Sequence, residues 1–295
     1  MNARLPSARI TNAFTCDVED YFQVSALAPH FPREQWDAVP CRIERNVDRV
    51  LELLDGHGAR GTFFTLGWIA ERFPQLVRRI ADAGHEVASH GYGHQRASDL
   101  DEPALFQDVD HAKRLLEDIG GQPVLGYRAP SFSIGDKNLW ALDVLLRAGY
   151  RYSSSIYPVR HDHYGSPDAP RFAHEVRPGL LEVPPTTLRL FDRNLPSSGG
   201  GFFRLLPYSV SRWMLQQVNA REQQSAVFYF HPWEIDPDQP RVQGIDWKSG
   251  FRHYVNLGQM AGRLDRLLAD FEWGRMDEIF LRDEPAVSTP EVAFA

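Results

Sequence analysis

The stretch "CRIERNVDRVLELLDGHGARGTFFTLG", residues 41–67, predicts a helix, a turn and a buried strand in succession. Apolar residues recur at helical spacing at Ile43, Val47, Val50, Leu51 and Leu54. Gly56 and Gly58 end the helix, because glycine readily adopts the left-handed conformation that closes a helix. The aromatic and β-branched run "GTFFTLG" then predicts the strand.

The same unit recurs along the chain. A strand at residues 10–18 ("ITNAFTCDV") comes first, and the later strands are "HEVAS" (85–89), "PVLGYRAP" (123–130), "YRYSSS" (150–155) and "SAVFYFHP" (225–232). Helices are predicted before each of these later strands, from Pro74 to Gly84 and over about 101–118, 137–149 and 207–219. Strands that alternate with helices of this length predict parallel β-α-β units and an α/β fold.

Composition sets limits on the class of protein. The 295 residues are 43% hydrophobic, which is enough for one large core, and we predict a single domain over residues 1–283 with a flexible tail at 284–295. The net charge of -7 argues against a nucleic-acid partner. No apolar run is long enough for a transmembrane segment, and two cysteines make no disulfide framework.

The N-terminal stretch "MNARLPSARITNAF" has no apolar core of the kind that marks a secretory signal. We therefore expect a cytoplasmic protein, with the inner face of the membrane as a second possible location.

Two histidines four residues apart, His90 and His94, lie in "EVASHGYGH" (86–94). On a helical turn this spacing puts both imidazoles on one face, where a divalent metal can bridge them. Taken alone, the spacing fits ordinary polar residues better. Carboxylates after the first strand can supply the oxygen ligand, and two histidines with one carboxylate are typical of hydrolytic and oxygenase metal sites.

The carboxylates of "DVED" (17–20) need separate roles in such a site. Asp17 and Glu19 point the same way if the strand continues, whereas Asp20 falls on the other face or begins a turn. A metal hydrolase needs one carboxylate on the metal and one to deprotonate water. The alternative is an acidic junction between a strand and a loop.

Arg128 and His231 also follow predicted strands. A guanidinium can orient a catalytic carboxylate, and a histidine at a strand end can act as general acid. The alternatives are a surface arginine and a core histidine bonded to a backbone carbonyl. Carboxyl ends of parallel strands meet at one edge, so we expect one shared site there.

Other features have weaker functional interpretations. We interpret "GGG" (199–201) as a flexible loop, because no Lys-Ser or Lys-Thr follows as in a phosphate loop, and "HDH" (161–163) as part of a substrate-lining loop. Aromatic residues can stack on sugar faces or simply pack. The candidates for stacking are Phe132, Tyr157, Tyr164 and Trp233.

Five ordered motifs carry a family resemblance. "TCDVED" (15–20), "GTFFTLG" (61–67), "AGHEVASHGYGH" (83–94), "RAPSF" (128–132) and "FYFHP" (228–232) resemble the NodB-homology polysaccharide deacetylases, carbohydrate esterase family 4. The resemblance covers about residues 10–235. The extension from about 236, together with "SSGGGFFRLLPY" (197–208), looks like the subgroup associated with bacterial exopolysaccharide and exosortase (PEP-CTERM) gene clusters.

The resemblance implies a distorted (β/α)7 barrel and a role for each matching residue. Asp17 would be the general base, His90 and His94 metal ligands, Arg128 the holder of the base, and His231 the general acid. Glu19 or Asp20 would be the third ligand, with Asp20 slightly favoured because it keeps the residue type of the family. The fourth motif of the family is absent, and "YRYSSSIYP" (150–158) stands in its place.

The implied reaction is hydrolysis of N-acetyl groups from hexosamine units of an exopolysaccharide or its lipid-linked precursor. Zinc is the expected ion, and cobalt, nickel or iron also suit the ligand set. A backbone N–H near Tyr21 or Phe22 would help to stabilise the oxyanion, and Tyr21 would contact substrate. Two alternatives are a cyclic imide or ureide hydrolase of the allantoinase-like kind and a catalytically silent carbohydrate-binding relative.

Overall fold

The computed structural model describes residues 10–160 and 165–281. The expectations for "HDH" at 161–163, for Tyr164 and for a tail at 284–295 fall outside these residues. Among the residues described, no helix combines the length and the apolar character that crossing a membrane requires.

The strands, in chain order, are β1 (Thr11–Val18), β2 (Thr62–Thr65), β3 (Glu86–Ser89), β4 (Gly126–Tyr127), β5 (Tyr152–Ser153), β6 (His174–Arg177), β7 (Leu180–Glu182), β8 (Thr187–Leu190), β9 (Arg193–Pro196), β10 (Val227–Phe230) and β11 (Glu272–Gly274). The α-helices are α1 (Ile43–Gly56), α2 (Gly67–Arg72), α3 (Pro74–Asp82), α4 (Glu102–Gly120), α5 (Trp140–Arg147), α6 (Gly200–Leu205), α7 (Tyr208–Arg221), α8 (Trp247–Tyr254), α9 (Leu257–Asp270) and α10 (Met276–Phe280).

Within the described residues, nine strands form one curled sheet, in which β1 pairs with β10, β11 and β2. The order is β10-β1-β2-β3-β4-β5-β7-β6, and β11 also pairs with β1. The seven neighbours from β10 to β7 run parallel, whereas β6 is antiparallel to β7. The sheet is a half-barrel with β10 and β6 as its outer strands, and the predicted α/β class is confirmed.

Local sequence explains the main helices. The apolar positions of α1 are largely buried, Pro74 occupies the first turn of α3, and Asp101 caps α4 by accepting a hydrogen bond from the Ala104 N–H. Gly121 ends α4 at φ +64°, in the left-handed region. Seven of the eight residues of β1 are buried, because its two faces are both covered.

Five of the helices in the described residues were not predicted from the sequence: α2, α6, α8, α9 and α10. The pattern does not show α2, since six residues are too few to establish helical spacing. The expectation of a flexible loop at "GGG" is wrong, because α6 begins at Gly200. A Cβ on Gly199 would lie 2.6 Å from the Tyr229 ring, and one on Gly200 would lie 2.0 Å from the Glu234 carboxylate. These glycines let α6 pack directly against β10 and the turn that follows it.

Candidate active site

Asp17 and Arg128 form a buried ion pair at the carboxyl ends of β1 and β4. Arg128 Nη1 donates to Asp17 Oδ1 at 2.5 Å and to Thr15 Oγ1 at 2.8 Å. The guanidinium is fully buried and stacks 4.0 Å from the centre of the Phe64 ring. Oδ1 of Asp17 is therefore held, and Oδ2 is the oxygen that faces the pocket side near His231.

Ser154 completes the environment of Arg128. Its hydroxyl accepts a hydrogen bond from Arg128 Nη2 at 2.9 Å, and its carbonyl accepts one from Nε at 3.3 Å. Ser154 lies in "YRYSSSIYP", the stretch that stands where the fourth motif was expected. Ser154 was not among the predicted site residues, although a run of three serines at the end of a predicted strand is a signal for polar contacts there.

Glu19, His90 and His94 converge within reach of one ion. One ligand atom from each lies within 4.8 Å of the others. The Nδ1–H of His90 donates to the Arg128 carbonyl at 2.8 Å, which leaves Nε2 available as a ligand. Oε2 of Glu19 lies 2.5 Å from His94 Nε2 and has no hydrogen-bond donor among the described residues. Two imidazoles and a buried carboxylate oxygen fit a divalent metal.

The two histidines reach this site from a loop and not from a helical turn. His90 directly follows β3, and His94 has φ +55° in the irregular segment beyond it. Their rings lie 5.2 Å apart. The spacing of four residues was informative, but the helical geometry first assumed for it was wrong.

The slight preference for Asp20 as the oxygen ligand requires correction. Asp20 Oδ1 accepts from the Tyr21 N–H at 2.8 Å, and Oδ2 accepts from the Arg42 N–H. These bonds cap the 3-10 turn Tyr21–Gln23, and Asp20 is not part of the cluster that Glu19 forms with His90 and His94. Since the Tyr21 N–H is used in this cap, it does not serve as an oxyanion donor in this structure.

His231 is held by a second buried ion pair. Its Nδ1–H donates to Glu234 Oε1 at 2.8 Å, and Arg204 Nε donates to Glu234 Oε2 at 2.7 Å. Arg204 also donates to the carbonyls of His253 and Val255. Glu234 and Arg204 were not among the predicted site residues, and the stretch that contains Arg204 was assigned only to a subgroup.

The geometry aims His231 at the carboxylates. Its Nε2 lies 3.5 Å from Glu19 Oε1 and 4.0 Å from Asp17 Oδ2. The base candidate and the acid candidate therefore face the same space.

Electrostatics set the protonation of these groups. Burial lowers the pKa of His90 to about 4, so its ring is neutral at pH 7. Burial disfavours the imidazolium of His231, but Glu19 and Glu234 outweigh it and raise its pKa to about 9. Burial also opposes ionisation of Glu234, yet Arg204 and His231 lower its pKa to about 2. His231 is consequently protonated, and Glu234 ionised, at neutral pH.

A pocket of about 470 Å³ opens onto these groups. Its lining includes Asp17, Glu19, His90, His94 and His231, and also Ser249 and Arg252 from α8. Four elements from distant parts of the chain thus enclose one space.

The aromatic residues proposed to contact sugar differ in whether they line the pocket. Phe132 lines the pocket. Tyr21 and Tyr157 are buried in the protein interior, so their rings do not offer a stacking face. Trp233 is 4% exposed and stacks between His231 and His253, at 5.3 and 4.3 Å between ring centres. The burial of Tyr157 and Trp233 favours the packing alternative for these two residues.

Two family models match adjacent parts of the chain. The family model "Polysaccharide deacetylase" matches residues 35–153. A second model, "Domain of unknown function (DUF3473)", matches residues 154–281. Residues 35–153 of this chain are thus similar to polysaccharide deacetylases.

Three proteins named as deacetylases are similar to this chain over part of their length. A peptidoglycan deacetylase of Helicobacter pylori is 30% identical over 117 residues, which are 38% of this chain and 38% of that protein. A peptidoglycan-N-acetylglucosamine deacetylase of Bacillus cereus is 31% identical over 96 residues, 32% of this chain and 35% of that protein. A chitooligosaccharide deacetylase of Azorhizobium caulinodans is 30% identical over 103 residues, 35% of this chain and 48% of that protein.

The alignments thus span less than half of each of these relatives. The fold itself matches over nearly the whole chain. The crystal structure of a candidate polysaccharide deacetylase from Mycobacterium smegmatis superposes with a TM-score of 0.60 at 21% identity, over 98% of each chain.

Proposed function

We propose that this protein is a metal-dependent hydrolase that removes N-acetyl groups from N-acetylhexosamine units of a bacterial exopolysaccharide or its precursor. The observation that carries the proposal is the joint placement of a carboxylate held by arginine, a two-histidine and glutamate cluster, and a protonated histidine around one pocket. The exopolysaccharide substrate and zinc as the ion are parts of the proposal that rest on the family resemblance of the sequence, and a cytoplasmic location is a further part of it.

Glu19, His90 and His94 would hold the ion. A bound zinc ion would polarise the acetyl carbonyl and lower the pKa of water at the site. The neutral ring of His90 and the ionised carboxylate of Glu19, whose pKa His94 and His231 lower to about 2 despite its burial, are the protonation states that metal binding needs.

Asp17 and His231 would divide the proton transfers. Arg128 fixes Oδ1 of Asp17, so Oδ2 takes the proton from the attacking water. His231 donates its Nε2 proton to the departing amine, while Glu234 accepts from Nδ1 and holds the ring in position. Because Nε2 of His231 lies 4.0 Å from Asp17 Oδ2, one amide group can reach both.

Acetate release from N-acetylglucosamine oligomers, with and without a chelator, tests this function. We expect release from the zinc-loaded protein, loss with chelator, and recovery on adding zinc. Asp17→Asn is expected to keep its zinc and to lose at least about a hundredfold in kcat, since it removes the base.

Two outcomes would count against the proposal. Acetate release that survives complete removal of metal would exclude the metal-dependent mechanism. Failure to release acetate from any amide-bearing glycan, with ureide hydrolysis instead, would favour the cyclic amide hydrolase.

A further inference from the structure

A second cleft of about 350 Å³ adjoins the catalytic pocket. The two spaces share Tyr229, His231 and Arg252 in their linings. The rest of the cleft comes from α6, from Trp233 and Glu234 in the turn after β10, and from Phe251 and Val255 at the end of α8. His231 therefore stands between a space that contains the metal cluster and a space that contains none of it.

The cleft presents apolar surface that is open to solvent. Phe251 of α8 is 54% exposed and Leu205 of α6 is 48% exposed, and both lie in its lining. Exposed apolar side chains that surround a concave space beside an active site mark a binding groove more often than a packing defect. A ligand bound in the cleft would therefore cover the exposed parts of these two side chains.

The polar groups of the cleft are unequally available. Arg204 and Glu234 are bonded to each other, and their remaining atoms bond to His231 and to backbone carbonyls. The Arg252 guanidinium, in contrast, has no hydrogen bond or ion pair with any residue in the described part of the chain. The cleft therefore offers an aromatic face with one free set of hydrogen-bond donors.

We infer that this cleft is a subsite for a second sugar ring, joined to the hexosamine that reacts at His231. The apolar C–H face of that ring would pack on Phe251, and Arg252 would donate to its hydroxyl groups. The inference rests on the proposed function for the position of the reacting sugar. It adds that α6 and α8, both within residues 154–281, make the enzyme selective for a chain over a single sugar.

A binding experiment tests the subsite without requiring turnover. The zinc-loaded Asp17→Asn protein is titrated calorimetrically with N-acetylglucosamine and with N,N′-diacetylchitobiose. We expect the disaccharide to bind about tenfold more tightly, which is the order of gain from one aromatic contact. In Asp17→Asn/Phe251→Ala this gain should vanish, while the affinity for the monosaccharide stays the same.

Phe191→Ala is the matched control. Phe191 is 89% exposed, lies between β8 and β9, and does not line the cleft. This variant should keep the full difference between disaccharide and monosaccharide.

The results separate this inference from the proposed function. Equal affinities for the two sugars, or a gain that Phe251→Ala leaves intact, would overturn the subsite. A gain that depends on Phe251 for an alkyl glycoside but not for the disaccharide would also overturn it, in favour of a lipid-binding cleft. A Phe251-dependent gain in a protein that releases no acetate would support the subsite while refuting the deacetylase.

Discussion

Glu19 and Asp20 are neighbours in the chain with opposite roles in the structure. Glu19 joins the two histidines, whereas Asp20 caps the turn that follows β1. Both residues lie just beyond the end of β1, in a turn where the Glu19 N–H donates to the Asp17 carbonyl. Substitution of each carboxylate in turn tests which of them holds the ion.

We expect Glu19→Ala to lose zinc and Asp20→Asn to retain it. Loss of a residue that only hydrogen-bonds to a metal ligand weakens metal binding by about tenfold to a hundredfold. Loss of one of the three ligands themselves should therefore weaken zinc binding by at least as much. Asp20→Asn should instead lower the free energy of unfolding by about 0.5–2 kcal/mol, because it weakens a buried cap. Zinc content by mass spectrometry and thermal melts measure the two effects, and a reversed pattern would restore Asp20 as the ligand.

The sequence predicted this cluster but did not determine whether Glu19 or Asp20 is its oxygen ligand. Strand ends predicted that Asp17, His90, Arg128 and His231 would meet, because parallel strands end at one edge. The choice depends on a turn in which the Glu19 N–H donates to the Asp17 carbonyl at 2.9 Å. The residue types of "DVED" do not determine that turn.

At the scale of elements, the contact between α6 and the 3-10 turn Pro232–Ile235 governs His231. Arg204 and Glu234 lie 30 residues apart, so no local pattern pairs them. Gly200 allows the approach, since any side chain there would overlap the Glu234 carboxylate. Helical spacing predicts helices, but it does not predict which side chains two short elements bring together.

Glu234→Gln should shift the pH dependence of catalysis. An ionised Glu234 favours the imidazolium of His231, so its removal lowers the pKa of His231 from about 9. The general acid must be protonated, and the alkaline limb of kcat/KM should therefore move to lower pH. We expect kcat at pH 8 to fall by about tenfold to a hundredfold.

A pH profile of acetate release measures this shift, and the exposed Glu52→Gln on α1 serves as the matched control. A lower rate with an unmoved alkaline limb would show that Glu234 has only a structural role.

At the scale of the whole molecule, the carboxyl ends and the amino ends of the parallel strands have different surroundings. The carboxyl ends carry the site, and α10 covers the opposite end around Glu86 at the start of β3. Thr62 Oγ1 donates to Glu86 at 2.6 Å, the Tyr152 hydroxyl at 2.8 Å, and the Asp277 N–H at 3.1 Å. Burial, with a smaller contribution from Asp277, raises the pKa of Glu86 to about 8.

Glu86 makes stability depend on pH. The unfolded chain releases this proton near the ordinary value of 4.5, and the folded protein only near 8. The free energy of unfolding should therefore fall as pH rises from about 4.5 to about 8, and below 4.5 this contribution is fully present. Glu86→Gln stays neutral, so its Tm should fall less over this range and exceed that of the parent protein at pH 8 by on the order of a few °C.

Thermal melts from pH 5 to pH 8.5 measure this effect, again with Glu52→Gln as the control. Parallel Tm profiles for the parent protein and Glu86→Gln would contradict the prediction. Acetate release at pH 7 should change little, because Glu86 lies at the end of β3 opposite His90.

The overall class followed from the sequence, since alternating strands and helices permit few arrangements. The sequence did not predict the hairpin of β6 and β7 or the separate hairpin of β8 and β9. Their segments lie in a region of weak periodicity, and their positions are fixed by contacts with distant parts of the chain, such as Val183 N–H to the Ser153 carbonyl.

The pairing of β1 has a consequence for how the molecule comes into being. Among the described strands β1 is synthesised before the others, yet its partners β10 and β11 are more than 200 residues away along the chain. One edge of β1 stays unpaired until those two strands have been made, and such edges slow folding and invite aggregation. Asp17 and Glu19 therefore enter their final surroundings only after β10 has paired with β1, so the nascent chain acquires its chemistry late in its assembly.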